Sequence, residues 1–352
     1  FHDPEPVFEG VRHVSIPRLS PEEFAQIPSQ SPDLQALIDK APSDLYELLR
    51  VPFNLRLMAE LLEAGVDQIE LTPIRTQLEL LDRYWLHRVI CSSGRDDGQG
   101  DAREAVLRRI CEGMVKARTL RVDRLEVVEP ATSAPLNDLL RAQVLREWQT
   151  SPTAEPERYV LTFSHHILFD YAVARLLFRG NDQWLIRRFV DDPDLVLLVK
   201  PSLSLHFQYL WTADRDHRRF WDLVLKMTRV EELLDIVKLT GPSVAAELAK
   251  QMSDLELLCV SIECCDETIR VTAENTLRHL VGSLLAAPGE RALLGPDAGP
   301  WCDLLERMSS NLKTHVPYAG VRQLLGKIEG IEGEEARSFK DFGHWGSGKV
   351  KE

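Results

Sequence analysis

What the chain lacks narrows it first. No apolar run approaches the ~20 residues that carry a helix across a bilayer, so no transmembrane helix is expected. The six cysteines (Cys91, Cys111, Cys259, Cys264, Cys265 and Cys302) include no Cys-x-x-Cys and no histidine at zinc spacing, which argues against a zinc module. Adjacent Cys264 and Cys265 would point to different faces of a helix and would not share one ion, so free thiols in a reducing cytosol are the plain reading. With 19 glycines, 20 prolines and sparse cysteine, collagen-like, disordered and disulfide-scaffold chains are excluded. No Gly-x-Ser-x-Gly elbow occurs and no Ser/His/Asp set suggests itself, so nothing points to a hydrolytic nucleophile. The first residue is Phe1 and not methionine, with no charged-then-apolar signal segment behind it. The expectation is a piece of something longer, cytoplasmic in location.

The residues present fit a globular chain of roughly two domains, at about 150 residues per domain. The 42 Lys+Arg against 55 Asp+Glu leave a net charge of −13, which opposes a chain that coats nucleic acid. Residues 103–124 run the other way, with seven basic side chains against three acidic, and would give a local basic face.

The element pattern begins as an α/β ending. Residues 11–17 alternate as a short strand closed by Pro17, and Ser20-Pro21-Glu22-Glu23 then reads as a capping box, as if the last strand and helix of an α/β core filled 1–42. From residue 43 the pattern is helical. Asp44 with Glu47 suggests a second capping box, the helix breaks at Val51-Pro52, and a new helix runs from Asn54 to Gly65. An amphipathic helix over 72–89 and a breaker loop at 92–101 complete a small helical lid at 43–92. Helices are expected at Arg103–Lys116 and Leu136–Trp148, a strand at Tyr159–Phe163, and a helix capped by Ser164 and ended by Gly180. Three helices with a short β-wing make a winged-helix domain at 101–180.

Beyond residue 181 short amphipathic helices follow at 183–190, 195–210, 216–228, 230–239, 243–251, 254–264, 267–286, 300–313 and 318–328, with turns such as Gly241-Pro242 between them. No strict repeat recurs, so 181–330 reads as an irregular HEAT-like α-hairpin array with a sensor role. The glycine- and charge-rich stretch 331–352 reads as a flexible tail. The expected fold class is mainly α with the remnant of an α/β core.

Two segments in this order resemble the signal-transducing P-loop ATPases known as STAND proteins, especially their NACHT branch. Leu48-Leu49-Arg50-Val51-Pro52-Phe53-Asn54-Leu55 resembles the helix-break-helix after the nucleotide-binding core, with Arg50 where the family often has glycine. Phe163-Ser164-His165 through Asp170-Tyr171-Ala172 resembles the Phe-x-His segment that ends the winged helix, with Asp170 where glutamate is usual. The resemblance covers roughly residues 10–180. It implies that Pro52 packs against adenine and that His165 contacts the β-phosphate of bound ADP. It also implies ATP or ADP as cofactor with Mg²⁺ held by an upstream core, a protein trigger on the C-terminal helices, oligomerisation when active, and a role in signalling or bacterial antiviral defence.

The residue types suit those roles. A proline at a helix junction is rigid and carries no N–H, so it can lie on a purine without stranding a donor; equally, it can simply punctuate two helices. An imidazole at a strand-to-helix start can donate to an anion beside unpaired backbone N–H groups; equally, it can cap or pack. His166 and Asp170, four apart, supply two ligands and no metal site.

The chemistry of an ATPase is missing. Gly343 to Lys349 matches G-x-x-x-x-G-K, but Val350 replaces the Ser/Thr, no strand precedes it and two residues follow, so the match reads as coincidence. No apolar strand ends in Asp-Glu. The chain is expected to be inactive alone and to form the regulatory half of a nucleotide switch. Two alternatives stay open: a winged-helix DNA-binding regulator, motivated by the basic run, and a HEAT-like interaction scaffold without enzymatic activity.

Overall fold

The computed structural model describes residues 17–26, 31–91, 98–127, 129, 132–149, 158–180, 182–286 and 298–310. The strand expected at 11–17, the helix at 318–328, the tail and the Gly343–Lys349 motif lie outside these residues. The chain is mainly α with one small three-stranded sheet. It divides into two compact units: Phe1–Glu104 with Thr132–Val144, and Ala105–Ala131 with Leu145–Glu352. Among the described residues no helix is long and apolar enough to cross a membrane.

In the first unit the capping box at Ser20 forms as its sequence predicts: Glu23 N–H donates to Ser20 Oγ at 3.2 Å, and Ser20 N–H donates to Glu23 Oε2 at 2.8 Å. The Asp44 box does not form. Pro42, whose ring offers no acceptor, is the N-cap of helix Ser43–Leu49, and Glu47 pairs with Arg50 at 2.9 Å and Arg18 at 3.4 Å. Helix Pro52–Glu63 starts at the expected break and ends at Gly65. Gly65 holds φ +81°, so that Val66 N–H reaches back to the Leu61 carbonyl at 3.1 Å, the reverse turn that satisfies last-turn carbonyls.

The single helix expected over 72–89 starts later. Thr72 terminates a short helix, Gln68–Leu71, and Thr76 with Glu79 opens helix Gln77–Trp85, which continues as one π-helical turn, Leu86–Ile90. The core of the unit is Leu45, Leu49, Leu57, Met58, Leu61, Leu81, Tyr84 and Trp85, all buried.

Helix Gly100–Ala117 begins in this unit. A Cβ on Gly100 would lie 2.9 Å from the Ile90 carbonyl oxygen, so the close approach there requires glycine. The helix expected over Leu136–Trp148 is a helix only as far as Arg141. Gln143 turns to φ +56°, and Val144 N–H bonds the Leu139 carbonyl, which closes the helix as Gly65 closes the earlier one.

In the second unit Leu145–Gln149 is a strand. Its Leu, Arg, Glu and Trp suit a helix by propensity, yet its backbone pairs with Tyr159–Phe163, the best strand former in the chain. The sheet has β1 (Val122–Asp123), β2 (Leu145–Gln149) and β3 (Tyr159–Phe163), all antiparallel, in the order β1–β3–β2. Helix His166–Val173 and a π-helical turn, Ala174–Phe178, follow, and Gly180 at φ +117° ends the run.

Helices Asp182–Asp191, Leu195–Ala213, Arg218–Arg229, Asp235–Leu248, Glu256–Ile262, Glu267–Ala286 and Gly299–Ser310 complete the described chain. The turn expected at Gly241-Pro242 is absent, and the two helices expected around it are one. A Cβ on Gly241 would sit 2.5 Å from Val224 Cγ2 and 3.1 Å from Phe207 Cε1. Flush packing through the glycine accompanies a helix that continues past the proline's missing N–H. Pro201 likewise lies inside a helix.

Candidate functional site

Pro52 sits at the first turn of its helix, half-buried, where a missing N–H is harmless. The junction around it is tied down by its neighbours. Buried Asn54 donates to the Leu48 carbonyl at 3.0 Å across the break and accepts from Gln77 at 2.9 Å. Arg50 donates through Nε to the Leu19 carbonyl at 2.8 Å, while Leu19 N–H donates to the Arg50 carbonyl, also at 2.8 Å. Arg50 thus latches the segment at Leu19 onto the helix junction. Tyr84, buried beneath, donates to Glu60 at 2.9 Å, and burial raises its phenol well above its usual range.

His165, and not Ser164, is the N-cap of helix His166–Val173. It is extended, half-buried, and its Nδ1 accepts from Ile167 N–H at 3.3 Å. That bond makes Nδ1 the unprotonated nitrogen of the neutral ring and leaves the hydrogen on Nε2. The cap therefore satisfies one first-turn amide and seats the imidazole at a helix N-terminus. Its ring lies 4.3 Å from that of His166, which is exposed. Pro52 belongs to the first unit and His165 to the second.

The residue that sequence reasoning undervalued is Asp170. Leu168 through Val173 are all buried, so this helix is enclosed on every side, and Asp170, 6% exposed, is the one charged group inside it. Its carboxylate accepts from Ser202 Oγ at 3.0 Å. Burial pushes the acid up to about 6, and the Ser202 bond opposes that rise. His206, one turn beyond Ser202, is buried with no hydrogen-bond partner at either nitrogen, and desolvation lowers it to about 3. The signal was available in the sequence as a lone acid in the run Ile167–Ala174. Pairing it with His166 across one helical turn obscured it. His166 is exposed and Asp170 buried, and the described residues hold no group of three or more ligands that could bind a metal.

Of the basic run 103–124, Arg103 is enclosed, whereas Arg108, Arg109, Lys116, Arg118 and Arg121 are exposed, and several of these exposed groups are paired. Arg103 is 1% exposed and donates to the Val89 and Ile90 carbonyls at 2.6 and 2.8 Å, closing the π-helical turn there. Arg108 donates to the Leu176 carbonyl, which lies in the other π-helical turn. Arg109 pairs with Glu129 at 3.0 Å, Arg118 with Asp192, and Arg124 with Glu147 at 2.5 Å. A cleft of about 310 Å³ elsewhere in the second unit is lined by Gly180, Asp182, Gln183, Leu210, Arg219 and Asp222. Lys226 bridges its two acids, at 3.2 Å from Asp182 and 2.6 Å from Asp222.

The chain matches no family model, no curated protein and no solved structure.

Proposed function

We propose that this chain is the regulatory part of a nucleotide-dependent signalling switch of the STAND type, in which the Pro52 junction contacts adenine and His165 contacts a phosphate of ADP. The observation that carries this reading is the cap at His165. It places an imidazole at the N-cap of an eight-residue helix, beside the first-turn amides and the positive end of the helix dipole, a position suited to an anion. The order of parts supports it. A helix, a short strand, two helices and an antiparallel pair with β1 beside β3 precede that cap, which is the order of a winged helix. The phosphate loop and Mg²⁺ come from a core upstream, the helices after Asp182 receive the trigger, and this chain alone does not hydrolyse ATP. The pairing of Arg103, Arg108, Arg109, Arg118 and Arg124 within the chain weighs against a nucleic-acid reading, for which the exposed Lys116 and Arg121 remain.

His165→Ala in the natural full-length chain tests the assignment. Loss of one charge-assisted hydrogen bond, about 1.5–3 kcal/mol, is expected to speed release of a fluorescent ADP analogue by at least roughly ten-fold. Release at the wild-type rate would overturn it.

A further inference from the structure

Hydroxyls on the helices of the second unit mostly turn inward to their own backbone. Thr240, Ser243, Ser261, Thr272 and Ser283 each donate to the carbonyl four residues earlier, at 2.7–2.9 Å. Ser202 does not. It follows Pro201 inside helix Leu195–Ala213, is fully buried, and donates across to Asp170 on the helix that His165 caps. A carboxylate enclosed with one hydroxyl donor is under-solvated, and its charged form is disfavoured wherever the two helices stay packed.

We infer that ionised Asp170 is a stored charge that biases the packed arrangement behind His165 towards release, and that Ser202 is its restraint. This rests on the nucleotide reading of His165 and names the regulation of that same site. In the packed state the acid lacks the solvation it would have in water, so its charge favours separation of helix His166–Val173 from helix Leu195–Ala213. The Ser202 hydroxyl recovers part of that solvation and holds the pair together. A partner that draws on the helical array then works against one hydrogen bond, and the charge assists it.

The other titratable groups on the packed elements leave the bias to these two residues. His166, Tyr171 and Arg175 lie on the same run, Lys200, His206 and Tyr209 on the long helix, and Tyr159 on β3. None of them contributes to the shift of Asp170, which burial raises and Ser202 lowers.

The two roles predict opposite effects, which a merely structural pair would not. In the natural full-length chain loaded with a fluorescent ADP analogue, Asp170→Asn removes the charge while keeping an acceptor for Ser202, and release should slow by roughly three-fold or more. Ser202→Ala leaves the charge without its donor, and release should quicken by roughly ten-fold. Wild-type release should slow, relative to the Asp170→Asn profile, as the pH falls through about 6. Changes in the same direction in both variants, or identical pH profiles for wild type and Asp170→Asn, would overturn the proposal.

Hydrogen exchange of residues 166–173 in the same three proteins separates this proposal from the nucleotide reading. If no ADP binds but exchange is slower in Asp170→Asn and faster in Ser202→Ala, the stored charge stands and the phosphate role of His165 falls. Exchange unchanged in both variants would overturn the stored charge itself.

Discussion

Asp170 makes stability a function of pH, with a sign that follows from its burial. The folded chain holds the acid at about 6 against the ordinary 3.8, so the folded state binds this proton more tightly than the unfolded state. Its contribution is therefore fully present below 3.8 and is lost as the pH rises through about 6. The gap bounds the effect at about 3 kcal/mol. Asp170→Asn is expected to stabilise the chain at pH 8 and to leave it near wild type at pH 4, read from urea midpoints at the two pH values. An equal shift at both would contradict the assignment. His206 works in the opposite sense: burial lowers it to about 3 against the ordinary 6.5, so its contribution is full above 6.5 and is lost as the pH falls towards 3, and the comparison of Asp170→Asn with wild type at each pH isolates the aspartate. The thiols of Cys259 and Cys302 are pushed up to about 12 by burial and do not titrate across this range.

Among the elements, Gly241 shows two principles in opposition. Helix propensity alone assigns Gly241→Ala a gain of about 1 kcal/mol. The added methyl would start 2.5 Å from Val224 Cγ2, and overpacking of a tight contact costs about 1–3 kcal/mol. The collision dominates, so a net loss is expected in thermal unfolding, with Val224→Ala partly restoring the double variant. A stabilised Gly241→Ala would show that the two helices part easily.

Much of the helical pattern was legible because its punctuation is local. Ser20 with Glu23, the Pro52 break and Gly65 state their roles within four residues. The misses share a cause. The turn at Gln143 has the same geometry as the one at Gly65 but no glycine to announce it, so helix and strand merged into one expected helix at 136–148. At Gly241-Pro242 two breakers stand inside a helix because packing against Val224 and Phe207 overrides them. The cap at His165 was placed one residue early, and the Asp170–Ser202 bond spans 32 residues, a separation no local pattern encodes. For the candidate site, residue types indicated where to look, and tertiary contacts supplied what the residues do.

At the scale of the whole molecule, the net charge of −13 acts with the tied arginines and not against them. Phosphate contacts drive non-specific affinity for nucleic acid and weaken steeply with salt. With five of the seven basic side chains of 103–124 bonded within the chain, and Lys116 and Arg121 of that run left exposed without an ion pair among the described residues, no retardation of duplex DNA is expected at physiological salt in a gel-shift titration. Binding that persists there would restore the nucleic-acid reading.

The enclosure of helix His166–Val173 also has a consequence in time. A surface carboxylate exchanges its proton with water almost freely, but Asp170 lies on a helix buried from Leu168 to Val173, packed against helix Leu195–Ala213, and its carboxylate is bonded to Ser202 there. At 6% exposure its contact with water is narrow, and it widens when the two helices part. Such openings run from microseconds to seconds. Its protonation is therefore expected to lag a jump in pH by the time those openings take.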